Sequence, residues 1–492
     1  MSKLPKLLSF FLSLFLLFPF FISPVQSTNI ITSKIPGYED CYRDVQTINQ
    51  TMDDLLYQYP SLVKLESIGF SYEDNPINVL TLSNQAITSD KPALILVSGL
   101  RANAFAPVEL SLSFAEYLLQ NYGLDADSTW ILDYLSIHLI LLANPDGRLM
   151  AESQAQAELA ITWQNNTNFD YCEADNVGVR LTLNFPFAWQ EADPSTSCDT
   201  LYPGPSAGSE PETQAITEFL EDLALSEKSM LLVNLDAGEN EIRMPYLYDF
   251  SVENPHQNEL FMLANKIAYD TASSPILNST SNSSSSDGTL IDHAFGELNI
   301  PSLDFKMGAD EVSYCWYYEE ELRDLNIQAL LRAAKATIEP YDRPFGPEIV
   351  IEEINEYSTF FNLVGYVDDF SFYKNPHENY SQIKNLEYSI NTPVWDESIV
   401  PDSAKHLTPD EEFDFLSNFV ISIPKVNLLP GRNTIFLQSW DSAEDPENSH
   451  PGLVSSAFLD VPIVDDPIVD DPIVEDPIID LPFELFLPMS LK

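Results

Sequence analysis

Two hydrophobic patterns alternate through the first two thirds of the chain. Three short, continuous apolar runs are typical of strands buried on both faces: residues 94–99, 137–142 and 230–235. Between them, residues 109–121 and 212–224 repeat apolar side chains at helical spacing. Asn-Pro-Asp-Gly at 144–147 predicts a turn that closes the second strand. The alternation predicts an α/β fold whose mixed, mostly parallel sheet is covered by helices.

The pattern changes after Arg343, where proline- and aspartate-rich turns begin to separate short strand-like runs. Four such runs are prominent: residues 349–352, 361–367, 419–423 and 434–438. One helical run, at 410–418, interrupts them. We therefore expect an antiparallel β-sandwich over 344–460, after an α/β domain over 28–343.

The N-terminal segment predicts export. Lys3 and Lys6 precede an apolar run over 7–22, and Val25 and Ser27 occupy the small-residue positions of a cleavage site. Residues 1–27 are therefore expected to be a secretory signal peptide, with an uncleaved membrane anchor as the alternative. Localisation is then extracellular or in the cell envelope.

A five-residue repeat, Pro-Ile-Val-Asp-Asp, begins at Pro462 within the C-terminal segment 461–492. Regular prolines forbid a helix and the paired acids repel one another, so an extended spacer of roughly 60 Å is expected at ~3 Å per residue. A calcium-binding tract is the alternative, although the repeat lacks the glycine-bearing loop of calcium modules. A Ser/Asn-rich stretch at 271–288 predicts a surface loop.

The charge and cysteine content of the chain limit the classes of partner and of disulfide-free site that can be expected. Of 492 residues, 76 are acidic and 23 basic, giving a formal charge of -53, so nucleic acid and anionic membrane surfaces would be repelled. Apart from the N-terminal run, no segment is apolar enough to span a membrane. The four cysteines contain no Cys-x-x-Cys pair, and in an exported chain they should form disulfides, for which three connectivities are possible.

Seven segments, in order, resemble the zinc metallocarboxypeptidases of the carboxypeptidase A/T type over residues 40–341. They are Leu-Leu-Gln-Asn-Tyr-Gly at 118–123, Asp-Ser-Thr-Trp-Ile-Leu-Asp at 127–133, Asn-Pro-Asp-Gly-Arg at 144–148, Asn-Phe-Pro-Phe-Ala-Trp at 184–189, Tyr-Pro-Gly-Pro-Ser at 202–206, Ser-Glu-Pro-Glu-Thr at 209–213 and Asp-His-Ala-Phe-Gly-Glu-Leu at 292–298. The sandwich, with motifs at 390–395 and 431–436, resembles the accessory domain that follows such domains.

The resemblance implies a defined chemistry. In the family, two imidazoles and a carboxylate hold Zn²⁺, and the metal activates a water molecule while a free Glu acts as general base. An Asn-Arg pair binds the terminal carboxylate of the substrate, a further Arg stabilises the oxyanion, and a Tyr closes over the bound residue.

Each of these positions carries a different residue here. The resemblance places the metal-ligand positions at Arg101, Ala104 and Asp236, the general base at Lys306, the oxyanion Arg at Gln164, the clamp at Thr182 and Leu183, the closing Tyr at Phe295, and the Asp behind the metal at Arg180. Arg cannot lose its proton to bind a metal, and a Lys near neutral pH is a cation rather than a base. The chain is therefore expected to have no catalytic residues, no metal ligands and no zinc.

The histidines offer no replacement metal site. The six are His138, His256, His293, His377, His406 and His450. His256 has His-x-x-Glu spacing to Glu259 but opens a predicted helix away from the cleft, and His138 alternates within a buried strand as a core residue. His293 lies beside Asp292 near the rim of the cleft and could not replace three ligands alone.

The resemblance also implies a disulfide pairing. Cys172 and Cys198 match a pair found in relatives, which leaves Cys41 to join Cys315.

Charged side chains are expected to occupy the position at which the family holds zinc. Arg101, Asp236 and Lys306 should converge there with Arg180 behind them, and Asp304 shares a strand face with Lys306. Unpaired charges would each cost several kcal/mol in a cleft, so Asp236 should accept from Arg101, and Asp304 from Lys306 or Arg101. A residual positive charge of about one would repel Zn²⁺ and suit at most an anionic ligand.

The leading hypothesis is a secreted, non-catalytic binding or scaffold protein with an unknown peptide or protein ligand. One alternative is a working zinc carboxypeptidase that removes C-terminal residues with unconventional ligands. Another is a structural protein of the cell envelope, in which the sandwich and spacer are the functional parts.

Overall fold

The computed structural model describes residues 41–157, 159–172, 177–226, 229–275, 286–308, 313–369, 382–395, 405–407, 416–442 and 449–463. The predicted signal peptide, the repeat from residue 464 onward, His377 and most of the Ser/Asn-rich stretch lie outside these residues. Within them, no helix combines the length and hydrophobicity needed to cross a membrane.

An eight-stranded sheet forms the centre of the first two thirds of the chain. Its strands are β1 Val63–Phe70, β2 Pro76–Leu82, β3 Ala93–Ser98, β4 Ser136–Ile140, β5 Met230–Ala237, β6 Glu241–Arg243, β7 Ser274–Pro275 and β8 Ser302–Met307. They lie in the order β1-β2-β4-β3-β5-β8-β6-β7. The central pairs β4/β3, β3/β5 and β5/β8 are parallel, while β1, β2 and β6 join antiparallel.

Helices cover this sheet, as the alternating pattern predicts. They are α1 Val45–Gln58, α2 Phe105–Asn121, α3 Ala126–Tyr134, α4 Pro145–Gln156, α5 Pro211–Ser226, α6 Gln257–Ala268, α7 Leu290–Gly296, α8 Cys315–Tyr317 and α9 Arg323–Ala336. Every residue of β3 is buried, which is why its sequence is a continuous apolar run rather than an alternating one.

The Asn-Pro-Asp-Gly segment is not the predicted turn but the beginning of a helix. Asn144 caps α4, and its side-chain oxygen accepts from the Gly147 amide at 2.9 Å. Pro145 is the first helical residue, where its missing N–H leaves no intrahelical bond unmade. Capping and turn chemistry favour the same residue types, so the sequence alone does not separate them.

Two antiparallel sheets follow, as expected. Their strands are β9 Glu348–Glu356, β10 Phe360–Asp368, β11 Gln382–Ile390, β12 Lys405–Leu407, β13 Leu416–Pro424, β14 Gly431–Ser442 and β15 Ser455–Val461. One sheet has the order β13-β10-β9 and the other β12-β11-β14-β15. The predicted helix at 410–418 is wrong where it is described, because Leu416 already pairs with Asp368 in β10.

The sandwich packs against the α/β layer through aromatic and charged side chains. The rings of Trp395 and the buried Trp130 lie 5.0 Å apart between centroids. Asp127 links the two parts, since it accepts from Ser456 at 2.7 Å and from Lys335 at 2.5 Å. Lys266, fully buried, donates to the Gly346 carbonyl at 2.7 Å.

Both predicted disulfides are present. Cys41 is joined to Cys315 and Cys172 to Cys198, at sequence separations of 274 and 26 residues. The first ties the segment before α1 to α8, and the second closes the loop that contains the Asn-Phe-Pro motif.

Removing the longer disulfide should destabilise the protein more than removing the shorter one. In the chain-entropy model a cross-link over 274 residues is worth about 5 to 6 kcal/mol and one over 26 residues about 3 to 4 kcal/mol. Urea unfolding of Cys41→Ser/Cys315→Ser and Cys172→Ser/Cys198→Ser measures both losses. Equal losses, or the reverse order, would contradict the expectation.

A buried polar network lies beneath the loop that carries residues 181–184. Asn166 donates to Glu210 at 2.8 Å and to Glu212 at 3.4 Å, and both carboxylates are completely buried. The Tyr72 amide donates to Glu212 at 3.1 Å, yet burial dominates, and the pKa of Glu212 is raised to about 7. Neighbouring Glu210 and Asp146 add to this rise.

Because of Glu212, the free energy of unfolding should decrease as the pH rises. The unfolded chain releases this proton near pH 4.5, whereas the folded chain holds it until about pH 7. The protonated Glu212 side chain therefore contributes fully to the free energy of unfolding below pH 4.5, and this contribution is lost as the pH rises through 7. It amounts to about 3 kcal/mol, at about 1.4 kcal/mol per unit of pKa difference. Unfolding free energies measured from pH 4 to 8 should fall less steeply for Glu212→Gln. The exposed control Glu221→Gln should follow the unsubstituted protein, and an unchanged slope in Glu212→Gln would refute the assignment.

Candidate functional site

A cavity of about 570 Å³ opens at the carboxyl ends of β3, β5 and β8. Parallel strands present their carboxyl ends at one edge of a sheet, and ligand sites of α/β folds lie there. Gly99, with φ at 73°, turns the chain sharply out of β3, and a Cβ atom there would lie 3.0 Å from the Leu141 carbonyl oxygen. This turn directs Arg101 into the cavity.

A buried ion pair between Arg101 and Asp236 forms one wall. Arg101 Nε donates to Asp236 Oδ1 at 3.0 Å, and Nη2 donates to Asp236 Oδ2 and to the Ala237 carbonyl, the latter at 2.8 Å. Both side chains are 10% exposed. Burial opposes ionisation of Asp236, but the Arg101 and Lys306 cations hold its pKa below the ordinary value. The predicted pairing of these residues is confirmed.

Lys306 has a different partner from the one predicted. Its Nζ donates to Glu239 Oε2 at 2.6 Å, and Arg243 Nη2 donates to the same oxygen at 2.8 Å. Glu239 lies just beyond β5 in a left-handed conformation, with φ at 69°, which folds its carboxylate back toward β8. Although partial burial opposes it, the ammonium of Lys306 lowers the pKa of Glu239.

Asp304 instead accepts from Asn234. The two residues are directly opposite each other on β5 and β8, and Asn234 Nδ2 lies 2.7 Å from Asp304 Oδ1. The prediction that Asp304 accepts from Lys306 or Arg101 is therefore wrong. Burial raises the pKa of Asp304.

The described residues that line the whole cavity have a negative formal charge. The lining contains four cations, Arg101, Arg180, Arg243 and Lys306, and five carboxylates, Glu191, Asp236, Glu239, Asp287 and Asp304. The sum of +4 and -5 is -1. The predicted residual charge of about +1 covers Arg101, Arg180, Lys306, Asp236 and Asp304 alone, and for these five residues the formal sum of +3 and -2 is still +1. Glu191, Glu239 and Asp287, which come from loops whose position the sequence does not reveal, make the sum over the whole lining negative.

The clamp and oxyanion positions are arranged around the same opening. Thr182 and Leu183 line the cavity from a short 3-10 helix, Leu181–Leu183. Gln164 accepts from Arg180, whose Nη1 also lies 3.5 Å from Asn165 Oδ1. Ala104, almost completely buried, is the residue before α2.

Phe295 does not face the cavity. It lies on α7 with 6% of its surface exposed, and its ring packs edge-on against Tyr246 at 5.4 Å between centroids. Its assignment to the closing Tyr position remains a prediction from the resemblance.

The histidines occupy separate environments. His138 is a core residue as predicted, bonded to Thr81 Oγ1 at 3.0 Å, and burial lowers its pKa to about 4. His256 stacks on Tyr341 at 4.2 Å between centroids, and His293, 2% exposed, stacks on Phe185 at 6.3 Å. His450 pairs with Asp342 at the junction with the sandwich.

The residues at the family's ligand positions do not fit zinc. Arg101 is a permanent cation, Ala104 has no donor atom, and both carboxylate oxygens of Asp236 accept from Arg101. Over the described ranges, no group of three or more His, Cys, Asp or Glu side chains could hold a metal ion.

Sequence reasoning missed Asn234, Glu239 and Arg243, all of which line the cavity. Asn234 lies two residues before Asp236 on the same strand, so the two-residue period of a strand could have placed it on the same face. Nothing in the sequence marks Glu239 or Arg243, because the backbone turn after β5 positions Glu239 and the pairing of the short strand β6 with β8 positions Arg243.

Comparisons with known proteins agree with this architecture. A family model described as zinc carboxypeptidase matches residues 48–342. Carboxypeptidase A2 of Mus musculus is 28% identical over 227 residues, covering 46% of this chain and 52% of the relative. Carboxypeptidase A1 of Bos taurus is 32% identical over 182 residues, covering 37% and 42%. The chain thus spans about half the length of the curated relatives it matches.

Solved structures show the same fold. Thrombin activatable fibrinolysis inhibitor superposes with a TM-score of 0.54 at 21% identity, over 61% of this chain and 75% of that one. Carboxypeptidase A from Helicoverpa armigera gives 0.52 at 18% identity, over 60% and 73%.

Substituting one partner of the Arg101–Asp236 pair should strongly destabilise the protein. Asp236→Leu leaves the buried guanidinium of Arg101 without this carboxylate, which costs about 3 to 5 kcal/mol, whereas Arg101→Met/Asp236→Leu removes both charges and should cost much less. Urea unfolding of the two single variants and the double variant gives their coupling. Losses that simply add would show that the pair is not coupled.

Proposed function

This chain belongs to the zinc carboxypeptidase family, and we propose that it is a member without peptidase activity, which binds a ligand in the cavity without cleaving it. The observation that carries the proposal is the bidentate ion pair between Arg101 and Asp236 at the family's metal-ligand positions. Activity, ligand and partners are proposals here.

The ion pair opposes metal binding in two ways. A divalent cation would have to approach the permanent charge of Arg101, and in a partly buried cavity this repulsion is only weakly screened. It would also have to displace Arg101 from both oxygens of Asp236, which leaves a buried guanidinium unpaired. Hydrolysis in this family needs a metal-bound water, so the Arg101–Asp236 ion pair argues against peptide hydrolysis by this chain.

The residues that the resemblance places at the general-base, oxyanion and carboxylate-binding positions also lack the chemistry of those roles. Lys306 donates to Glu239 Oε2, and an ammonium has no lone pair with which to accept a proton from water. Gln164 is neutral and already accepts from Arg180, so it offers less stabilisation to a developing anion than an Arg would. Thr182 and Leu183 cannot form the two parallel hydrogen bonds with which an Arg holds a carboxylate.

The proposed protein is secreted and presents its cavity on a rigid support. Two disulfides, which pair all four cysteines, suit an oxidising compartment. We propose the division into an α/β domain over 28–343 and a sandwich over 344–460, joined by the Trp130–Trp395 contact. The sandwich would act as the structural part that holds the binding domain.

The purified, unchelated protein should contain much less than one equivalent of zinc and should not hydrolyse C-terminal residues. Metal analysis and assays with peptides ending in apolar, basic or acidic residues test this, with an active relative as control. One equivalent of tightly bound zinc, or turnover abolished by a chelator, would overturn the proposal.

A matched variant checks that the fold can still carry a metal. Arg101→His/Ala104→Glu/Asp236→His supplies two imidazoles and a carboxylate, a common catalytic zinc ligand set. The variant should take up about one equivalent of zinc where the unsubstituted chain takes up little. Zinc uptake by the unsubstituted chain equal to that of the variant would count against the proposal.

A further inference from the structure

The chain passes from the α/β domain to the sandwich through residues 342–347, which we call the connector, and the segment 449–452 packs against it. A Cβ atom on Gly452 would lie 1.8 Å from the Pro347 carbonyl oxygen, so a side chain at 452 would push the two segments apart. On its other side, the Gly452 amide donates to the Ser439 carbonyl of β14 at 2.8 Å. The segment is therefore wedged between the connector and the sandwich.

His450 brings a titratable group into this wedge. Its Nδ1 is paired with Asp342 Oδ1 on the connector, and its ring stacks on Phe345 at 4.9 Å between centroids. Its backbone amide donates to Asp441 Oδ1 on β14 at 2.6 Å. Asp369, the residue after β10, lies close enough for its charge to act on the imidazole. The ring therefore lies where the connector and both sheets of the sandwich meet.

Three carboxylates thus surround one imidazole. Asp441 and Asp369 are only 4% and 1% exposed, so water screens their charges weakly. A protonated imidazole offsets part of this negative charge, whereas a neutral one leaves the carboxylates to repel one another. Neutral imidazole can still donate one hydrogen bond to Asp342 from Nδ1, but that bond is no longer assisted by charge and is weaker.

Other charged groups hold the connector independently of the imidazole. Arg343 Nη1 donates to the Gly452 carbonyl at 3.3 Å, and Nη2 of the same side chain lies 3.0 Å from Glu339 Oε2. Lys266 Nζ lies 2.9 Å from Glu348 Oε1 at the start of β9. Titration of the imidazole therefore changes the strength of the junction without abolishing it.

Histidine is the side chain whose ordinary pKa lies between pH 5 and 8, so its charge responds to mild changes of pH. The hydrogen bond with Asp342 raises the pKa of His450 above its ordinary value of 6.5. The charges of Asp441 and Asp369 add to this rise, although partial burial opposes it. Because the folded value is the higher one, the stabilisation is complete below pH 6.5 and is lost as the pH rises through the folded value.

We propose that protonation of His450 controls how firmly the sandwich is seated on the α/β domain. The imidazolium offsets the carboxylates of Asp342 and Asp441, and loss of its proton lets the segment 449–452 separate more often from the connector. The junction is therefore firmest in mildly acidic surroundings. This device lies outside the cavity and does not depend on the proposed function.

Amide hydrogen exchange of the full chain, measured by mass spectrometry on fragments that contain Gly452, tests the proposal. This amide is protected by its bond to Ser439, so its exchange reports opening of the segment. After correction for the intrinsic pH dependence of exchange, its protection should fall about fivefold between about pH 5.5 and about pH 8.5, the size typical of a partly exposed ion pair. Equal protection at the two pH values would overturn the proposal. A local readout is required because Glu212 titrates in the same range.

Two variants assign the effect to the pair. His450→Asn keeps a donor near the Nδ1 position but cannot become charged, so protection should be equal at the two pH values. Asp342→Asn removes the carboxylate of the connector and should lower the pH dependence by at least about half. Asp222→Asn, which neutralises an exposed carboxylate on α5, should behave like the unsubstituted protein. A pH dependence retained in full by a folded His450→Asn or Asp342→Asn variant would refute the assignment.

An NMR titration of the imidazoles identifies the titrating group directly and needs no variant of His450. The pKa of His450 should lie above 6.5 in the unsubstituted protein and should fall in Asp342→Asn, because the carboxylate that favours the imidazolium is gone. A pKa of His450 at or below 6.5 would overturn the proposal even if the junction were pH-dependent for another reason.

Discussion

The ion pair between Arg101 and Asp236 is the interaction on which the cavity depends. It joins the segment after β3 to the end of β5, and it satisfies the guanidinium with both carboxylate oxygens and the Ala237 carbonyl. Two charges at this depth are tolerable only as a pair, because either one alone would be buried without compensation. The pair therefore fixes the segment after β3 against the end of β5.

The other charged side chains of the cavity lie around the Arg101–Asp236 pair. Lys306 on β8 lies opposite Asp236 on β5, and its ammonium donates to Glu239 rather than to a neighbour on its own strand. Asp304 accepts a hydrogen bond from Asn234, its neighbour on β5. The cavity thus combines paired cations with the buried Asn234 Oδ1, which accepts no hydrogen bond within the described residues.

Much of the architecture could be predicted because it depends on local patterns. The apolar run in β3 reflects burial on both faces, and the pairing of all four cysteines followed from a resemblance carried by intact motifs. Local patterns failed where one sequence suits two structures. Asn144 caps a helix although its tetrapeptide is typical of a turn, and residues 416–418 belong to a strand although their helical spacing suggested otherwise.

The sequence by itself determined the fold class and the family resemblance, because these depend on residue motifs and on periodicity along the chain. The resemblance also implied that Arg101 and Asp236 would pair, and in the structure the parallel pairing of β3 with β5 brings them together. Only the tertiary structure decided which acids meet Lys306 and Arg243. Glu239 reaches them through a left-handed turn after β5, and the sign of the charge in the cavity follows from such long-range contacts, which no local pattern records.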